Sequence, residues 1–341
     1  MGRDGIMWSV GPRYALMALG LIGFFNTAAV VAAADKYTVK DIGLLASGGS
    51  VEGMNNNGQL VGALPAGPTR FRGWWYDGGK VIDLSTCGGI GCRAMDINAQ
   101  GQIVGNIGRD PYIYSHGKFI DIAPFARPPG IALAINNVAE IVGWYTIIPV
   151  PGENFPSERH AFLYRGRRIT DLGTLGGSES AATDINNAGQ IVGYASTYSG
   201  ETHGFLYVND RMVDLGTLGG TESRANSIND RGHIVGGARI AGTNRSHAFL
   251  YVDGKISDLG TLDGSESNAL CINQAGQVVG TSGTRGFLHT GGKMMDLMTL
   301  LPTNAGWKSL TPRCINDSGQ IGGVGTFTDD KPHIFLMTPA P

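Results

Sequence analysis

One nonapeptide pattern, Ile-Asn-x-x-Gly-Gln-Ile-Val-Gly or a near variant, returns seven times along the 341 residues, with its Asn at 55, 98, 136, 186, 229, 273 and 316. The spacings are 43, 38, 50, 43, 44 and 43 residues. A second anchor, Asp-Leu-Gly or a close variant, starts at Asp41, Asp83, Asp121, Asp171, Asp214, Asp258 and Asp296. Between the anchors lies an aromatic-aliphatic run, best seen as His160-Ala161-Phe162-Leu163-Tyr164 and His247-Ala248-Phe249-Leu250-Tyr251. Self-similarity at this period restricts the chain to architectures that stack one supersecondary unit against its neighbours.

Each unit reads as four short strands. In the repeat that holds Asn186, Ala182 to Ile185 leads into a turn at Asn186-Asn187-Ala188-Gly189. Gln190 to Tyr194 then runs out, Gly204 to Val208 returns, and Met212 to Leu215 finishes. Asn suits the first position of a type I turn, and Gly at the fourth tolerates the left-handed conformation. Six repeats carry that Gly (58, 101, 189, 232, 276 and 319); the third has Ala139, which predicts a strained turn there. Asp253-Gly254, Asn209-Asp210, Gly78-Gly79 and Gly291-Gly292 suit a tight second hairpin. The chain holds 54 Gly, and the excess reads as turns; no three-residue period makes it collagenous.

Four strands per roughly 40 to 45 residues is the size of a propeller blade. The seventh repeat supplies three strands and stops at Pro341 without its Asp-Leu-Gly strand. That strand exists at the other end, as Tyr37 to Gly43. The expectation is an all-β, seven-bladed β-propeller of four-stranded blades, closed by pairing the N-terminal strand (37–43) with the C-terminal repeat. Closure also removes exposed sheet edges. An open β-solenoid, the competing architecture, would need capping repeats at its ends.

Arg3 and Arg13 precede an uncharged stretch, Tyr14 to Ala34, that closes with Val30-Val31-Ala32-Ala33-Ala34. A positive flank, an apolar centre and small residues before a break are the parts of a secretory signal peptide. Residues 1–34 are therefore expected to be a signal peptide, with an uncleaved N-terminal anchor as the alternative because 21 uncharged residues can span a bilayer. Residues 35–341 are expected to be one propeller domain of a secreted, extracellular or periplasmic protein. The four cysteines fit an oxidising compartment. Cys87 and Cys92 bracket a four-residue loop and form one candidate disulfide. Cys271 and Cys314, each two residues before a motif Asn in adjacent repeats, form a second.

The His-Ala-Phe-Leu-Tyr, Asp-Leu-Gly-Thr-Leu-Gly-Gly and Ile-Asn-x-x-Gly-Gln-Ile-Val-Gly segments make this chain resemble the HAF-repeat family of extracellular repeat proteins, over about residues 37 to 338. The name-giving triplet is complete only at His160-Ala161-Phe162 and His247-Ala248-Phe249. The resemblance implies export and repetition and assigns no activity.

Chemical candidates are few. His160, His203 and His247 each stand 11 residues before an Asp of the second anchor, which predicts a histidine-aspartate hydrogen bond across a hairpin rather than a metal site. The segments beginning at Asp96 and Asp184 imitate the first half of an EF-hand loop but carry Ile107 and Ala195 where the bidentate Glu belongs. Glu179, Glu222 and Glu266 recur in one loop and would fall on one face of the ring, a candidate binding rim. Trp74, Trp75, Trp144 and Trp307 could stack on sugars, though strand positions favour core for most of them. No Gly-x-Ser-x-Gly, His-Glu-x-x-His or phosphate-loop motif occurs. With 26 basic against 28 acidic residues, the composition argues against nucleic acid.

The expected function is a non-enzymatic binding or interaction propeller, a monomer whose partner is a protein, glycan or cell-surface ligand. No cofactor or metal is called, and membrane contact is expected only if residues 1–34 stay attached. The alternative is a propeller hydrolase or lyase acting on a polysaccharide or small ester.

Overall fold

The computed structural model describes residues 36–45, 48–67, 70–84, 91–122, 130–147 and 158–341. Segment 1–34, Cys87 and residues 148–157 of the proline-bearing insertion in the third repeat lie outside the described residues. Within them, every regular element is a β-strand except one 3-10 turn, Leu297–Leu300.

The fourth repeat shows the unit. Gly176–Ile185 pairs antiparallel with Ile191–Thr197, which pairs with Thr202–Val208, which pairs with Arg211–Asp214. The same four-strand succession occupies 50–83, 92–121, 130–171, 219–258 and 267–296. Single parallel bridges, Arg159 to Glu179 and Thr202 to Glu222, link three neighbouring groups. In the last group Trp307–Ile315, Ile321–Phe327 and Pro332–Pro339 pair in turn, and the fourth strand is Tyr37–Leu44, antiparallel to Pro332–Pro339 with Tyr37 opposite Pro339. The fold is thus all-β and propeller-like, and the first strand of the chain completes the last sheet.

The core repeats with the sequence. The third residue of each His-Ala-Phe-type triplet, Trp74, Tyr112, Phe162, Phe205, Phe249, Phe287 or Phe335, is at most 2% exposed. Burying such a ring contributes about 1.5 to 3 kcal/mol relative to leaving it in water. Where the residue before it is Gly or Ala, it makes room for the next repeat: a Cβ at Gly204 would lie 3.1 Å from the Ala225 nitrogen.

The glycine excess has two physical origins, of which turns are only one. At Gly189, φ is +76°, as the Asn-x-x-Gly turn requires. The Ile-Val-Gly glycines sit inside strands instead. A Cβ at Gly193 would stand 2.0 Å from the Ala181 carbonyl oxygen, and the equivalent distance lies between 1.9 and 2.2 Å in the other six repeats. These glycines serve close backbone approach, because the facing strand bulges toward them.

Ala139 does adopt the left-handed conformation, at φ 62°. Since that costs a non-glycine residue roughly 1 to 2 kcal/mol, Ala139→Gly should stabilise the protein by about 1 kcal/mol in chemical denaturation. An unchanged midpoint would show that the turn carries no strain.

Candidate functional site

Most of the recurring polar residues hold the fold. His160, His203 and His247 place Nδ1 2.9, 2.7 and 2.8 Å from Asp171, Asp214 and Asp258. Each Asp also accepts the N–H two residues on, from Gly173, Gly216 and Gly260. His333 makes the same contact with Asp41, 292 residues away in sequence, at 2.9 Å. Arg72 and Arg285 take the histidine's place opposite Asp83 and Asp296. The three candidate glutamates do not converge. Glu179 pairs with Arg159 at 3.2 Å and Glu222 with Arg239 at 3.2 Å, while Glu266 shares a separate cleft with Glu222. The serine after each glutamate carries structure: Ser180 Oγ accepts the Ala161 N–H at 2.8 Å and donates to the Gly173 carbonyl.

The motif asparagines do far more than shape turns. Asn186 Oδ1 accepts the N–H groups of Ala188 and Gln190, and its Nδ2 donates to Gln190 Oε1 and, at 3.0 Å, to the Asn229 carbonyl of the next repeat. That last bond recurs in every repeat: Asn55 donates to Asn98, Asn98 to Asn136, Asn136 to Asn186, Asn229 to Asn273, and Asn273 to Asn316. Asn316 donates to the Asn55 carbonyl at 3.4 Å, so the series returns to its start. A second series runs outside it, in which the residue after each motif Asn donates its N–H to the side chain of its counterpart in the following repeat, from Ala99 through Asn137, Asn187, Asp230, Gln274 and Asp317 to Asn56. A type I turn accepts Asp as readily as Asn. Seven Asn and no Asp was therefore the available signal that an N–H donor is required.

Inside these series lies a cavity of about 320 Å³. Every first strand of a repeat has a register shift three residues before its motif Asn, leaving Glu52, Met95, Leu133, Thr183, Asn226, Leu270 and Arg313 without a partner across the ladder. Such a β-bulge re-aims its side chain. All seven line the cavity, and their chemistry differs from repeat to repeat. Met95, Leu133 and Leu270 give an apolar side, whereas Arg313 pairs with Glu52 at 3.4 Å on the other. A predominantly polar cavity with one apolar side and an ion pair opposite suits a small polar ligand or an inserted side chain.

Beside the bulges, Asp96 and Asp184 reach across to the next repeat, where their Oδ2 atoms accept the N–H groups of Ile135 and Ile228 at 3.0 and 2.9 Å. Burial pushes Asp96 up to about 7 and Asp184 up to about 6, against the pull of those backbone N–H groups. Cys271 plays the equivalent part, its Sγ accepting the Ile315 N–H at 3.3 Å. Both Cys271 and Cys314 are free thiols in the structure, which corrects the expectation that they pair. The reason is local: Sγ of Cys271 is engaged with the Ile315 backbone. Burial raises both thiols, Cys271 to about 11, so neither is an active nucleophile at neutral pH. The Cys87–Cys92 pairing involves a residue outside the described set. Trp74 and Trp307 are core, as expected, whereas Trp144 is half-buried under Arg159. Among the described residues no cluster of His, Cys, Asp and Glu is arranged to hold a metal ion.

No family model matches the sequence, and no curated protein does. Solved structures show the fold alone. The chain is similar to the extracellular domain of a protein assigned as a hybrid two-component system from B. thetaiotaomicron (TM-score 0.54, 12% identity, 88% of this chain and 39% of that one). It is also similar to the acylaminoacyl peptidase of Pyrococcus horikoshii (TM-score 0.51, 11% identity, 84% and 51%) and, more distantly, to the β-propeller domain of the Trilobed protease from Pyrococcus furiosus (TM-score 0.46, 11% identity, 74% and 83%). The chain thus spans between two fifths and half of the first two proteins. Among the described residues no helix is long and apolar enough to cross a membrane.

Proposed function

We propose that this chain is an exported seven-bladed propeller of HAF-type repeats, closed by its N-terminal strand, and that it binds a partner without transforming it. The observation that carries the binding role is the ring of seven bulged residues. Around the axis the repeats copy their structural bonds almost unchanged, yet the bulged residue that lines the cavity in each repeat varies from Glu to Met, Leu, Thr, Asn and Arg. Export rests on the character of residues 1–34.

The test is an array of glycans and peptides probed with the full chain, each ligand then retested with Leu270→Trp, which fills the cavity from an apolar position. The reading expects ligands whose affinity falls at least tenfold with little change in melting temperature. An array in which every bound ligand is indifferent to Leu270→Trp would remove the axial cavity from the account.

One observation favours the hydrolytic alternative, acting on a polysaccharide or small ester: two carboxyl groups with raised pKa values, Asp96 and Asp184, border one cavity. Against it, each already holds the backbone of the next repeat. Cleaved products in the same array, lost in Asp96→Asn, would replace binding with catalysis.

A further inference from the structure

On the face opposite the asparagine turns, at the other end of the first strands, a second cavity of about 680 Å³ lies among the first four repeats. Met95 and Leu133 border both cavities, so the bulges of these two repeats stand between the axial pocket and this cleft. Its other walls differ in chemistry from the axial cavity, whose lining includes Glu52, Asp96, Asp184, Asp230 and Asp317 against Arg313. Phe71, Arg93, Asn106, Arg109, Trp144 and Arg159 all line it. The Arg93 guanidinium lies 3.5 Å over the Phe71 ring, and that of Arg159 lies 5.0 Å over Trp144. Stacking on an aromatic face leaves the edge of the guanidinium fork available and fixes its direction.

Two acids border the cleft, and both have partners: Glu179 pairs with Arg159, and Glu158 lies 3.5 Å from His160. The ion pairs among the described residues leave Arg93 and Arg109 without a carboxylate. One acceptor also lacks a donor. Asn106, only 6% exposed, gives its Nδ2 to the Gly108 carbonyl at 2.6 Å, and its Oδ1 has no partner. Such an atom costs about 1 to 3 kcal/mol until a donor reaches it.

We propose that this cleft binds a carboxylated oligosaccharide, one built of uronic acid units. The two unpaired arginines supply charge-assisted bonds to ring carboxylates, the Phe71 and Trp144 rings supply apolar wall against which pyranose C–H groups pack, and Asn106, by a turn of its side chain that opens Oδ1 to the cleft, accepts from a sugar hydroxyl. A neutral glycan leaves the arginines unanswered, and an acidic peptide leaves the tryptophan and Asn106 unanswered.

The full chain is titrated by calorimetry with tetrasaccharides of hyaluronan, alginate and polygalacturonate, with the methyl-esterified polygalacturonate tetramer, and with polyglutamate. At least one uronate tetramer should bind, at least tenfold tighter than the ester and than polyglutamate, and Arg93→Gln, Arg109→Gln and Trp144→Ala should each weaken it at least tenfold at unchanged melting temperature. If Trp144→Ala does not fold, the two arginine variants decide. Binding of none of the three uronates, or equal binding of polyglutamate, overturns the proposal. Leu270→Trp in the axial cavity should leave uronate binding unchanged; loss there would place the saccharide in the axial cavity instead and overturn this assignment while sparing the binding function.

Discussion

Asn186→Asp is expected to unfold the protein, or lower its stability by about 3 to 5 kcal/mol at neutral pH, although the two side chains are nearly identical in shape. The asparagine is 4% exposed and makes four hydrogen bonds, two as acceptor and two as donor. Aspartate keeps the acceptor half and turns the donor half into an oxygen facing Gln190 Oε1 at 2.7 Å and the Asn229 carbonyl at 3.0 Å. Two acceptors then confront a buried negative charge. Because the charged form is disfavoured in the folded state, the new carboxyl has a higher pKa folded than unfolded. Its penalty should therefore be full above the folded pKa and shrink as pH falls toward the unfolded value of about 4. Asn186→Ala, which removes the bonds without adding charge, should be destabilising by a similar order and independent of pH. Denaturant titration of both variants from pH 8 to pH 4 checks this, and Asn186→Asp with wild-type stability would mean that the donor half of the asparagine is idle.

Deleting Tyr37 to Leu44 should be comparably severe. The strand covers the edge of Pro332–Pro339, buries the Tyr37 side chain to 5% exposure, and carries Asp41 to His333. Lys40 also reaches the Tyr76 hydroxyl at 2.9 Å, in the first repeat. Losing one buried ring at about 1.5 to 3 kcal/mol and a row of ladder bonds at about 1 kcal/mol each should lower the melting temperature by at least about 10 °C and leave an edge that aggregates. A synthetic peptide of residues 36–45 added in trans should restore much of that loss, because the edge it fits is already formed. Unchanged melting of the truncated chain would show that the strand is an ornament.

How much of this was legible in the sequence depends on the kind of signal. The strand that completes the last sheet could be read because a missing Asp-Leu-Gly at one end had its match at the other. The histidine-aspartate pairs could be read from a constant spacing of 11 across a tight hairpin. What a linear reading could not supply was contact between repeats. Asn186 Nδ2 meets a carbonyl 43 residues away, and Asp96 meets Ile135 in the following repeat, so neither bond shows in any local pattern. The glycine excess reads as turns alone because the bulge that removes all room for a Cβ at Gly193 belongs to a different segment. The glutamates suggested a rim by symmetry, but the arginines that neutralise Glu179 and Glu222 stand at Arg159 and Arg239, two different positions within the repeat.

The central claim is that the first strand locks the last sheet and so closes the ring. Hydrogen-deuterium exchange of the peptide covering Tyr37 to Leu44 in the full chain tests it directly. Closure predicts that its amides exchange as slowly, within about tenfold, as those of Ile321–Phe327 in the same sheet. Complete exchange of the first strand within seconds, while Ile321–Phe327 stays protected, would contradict it.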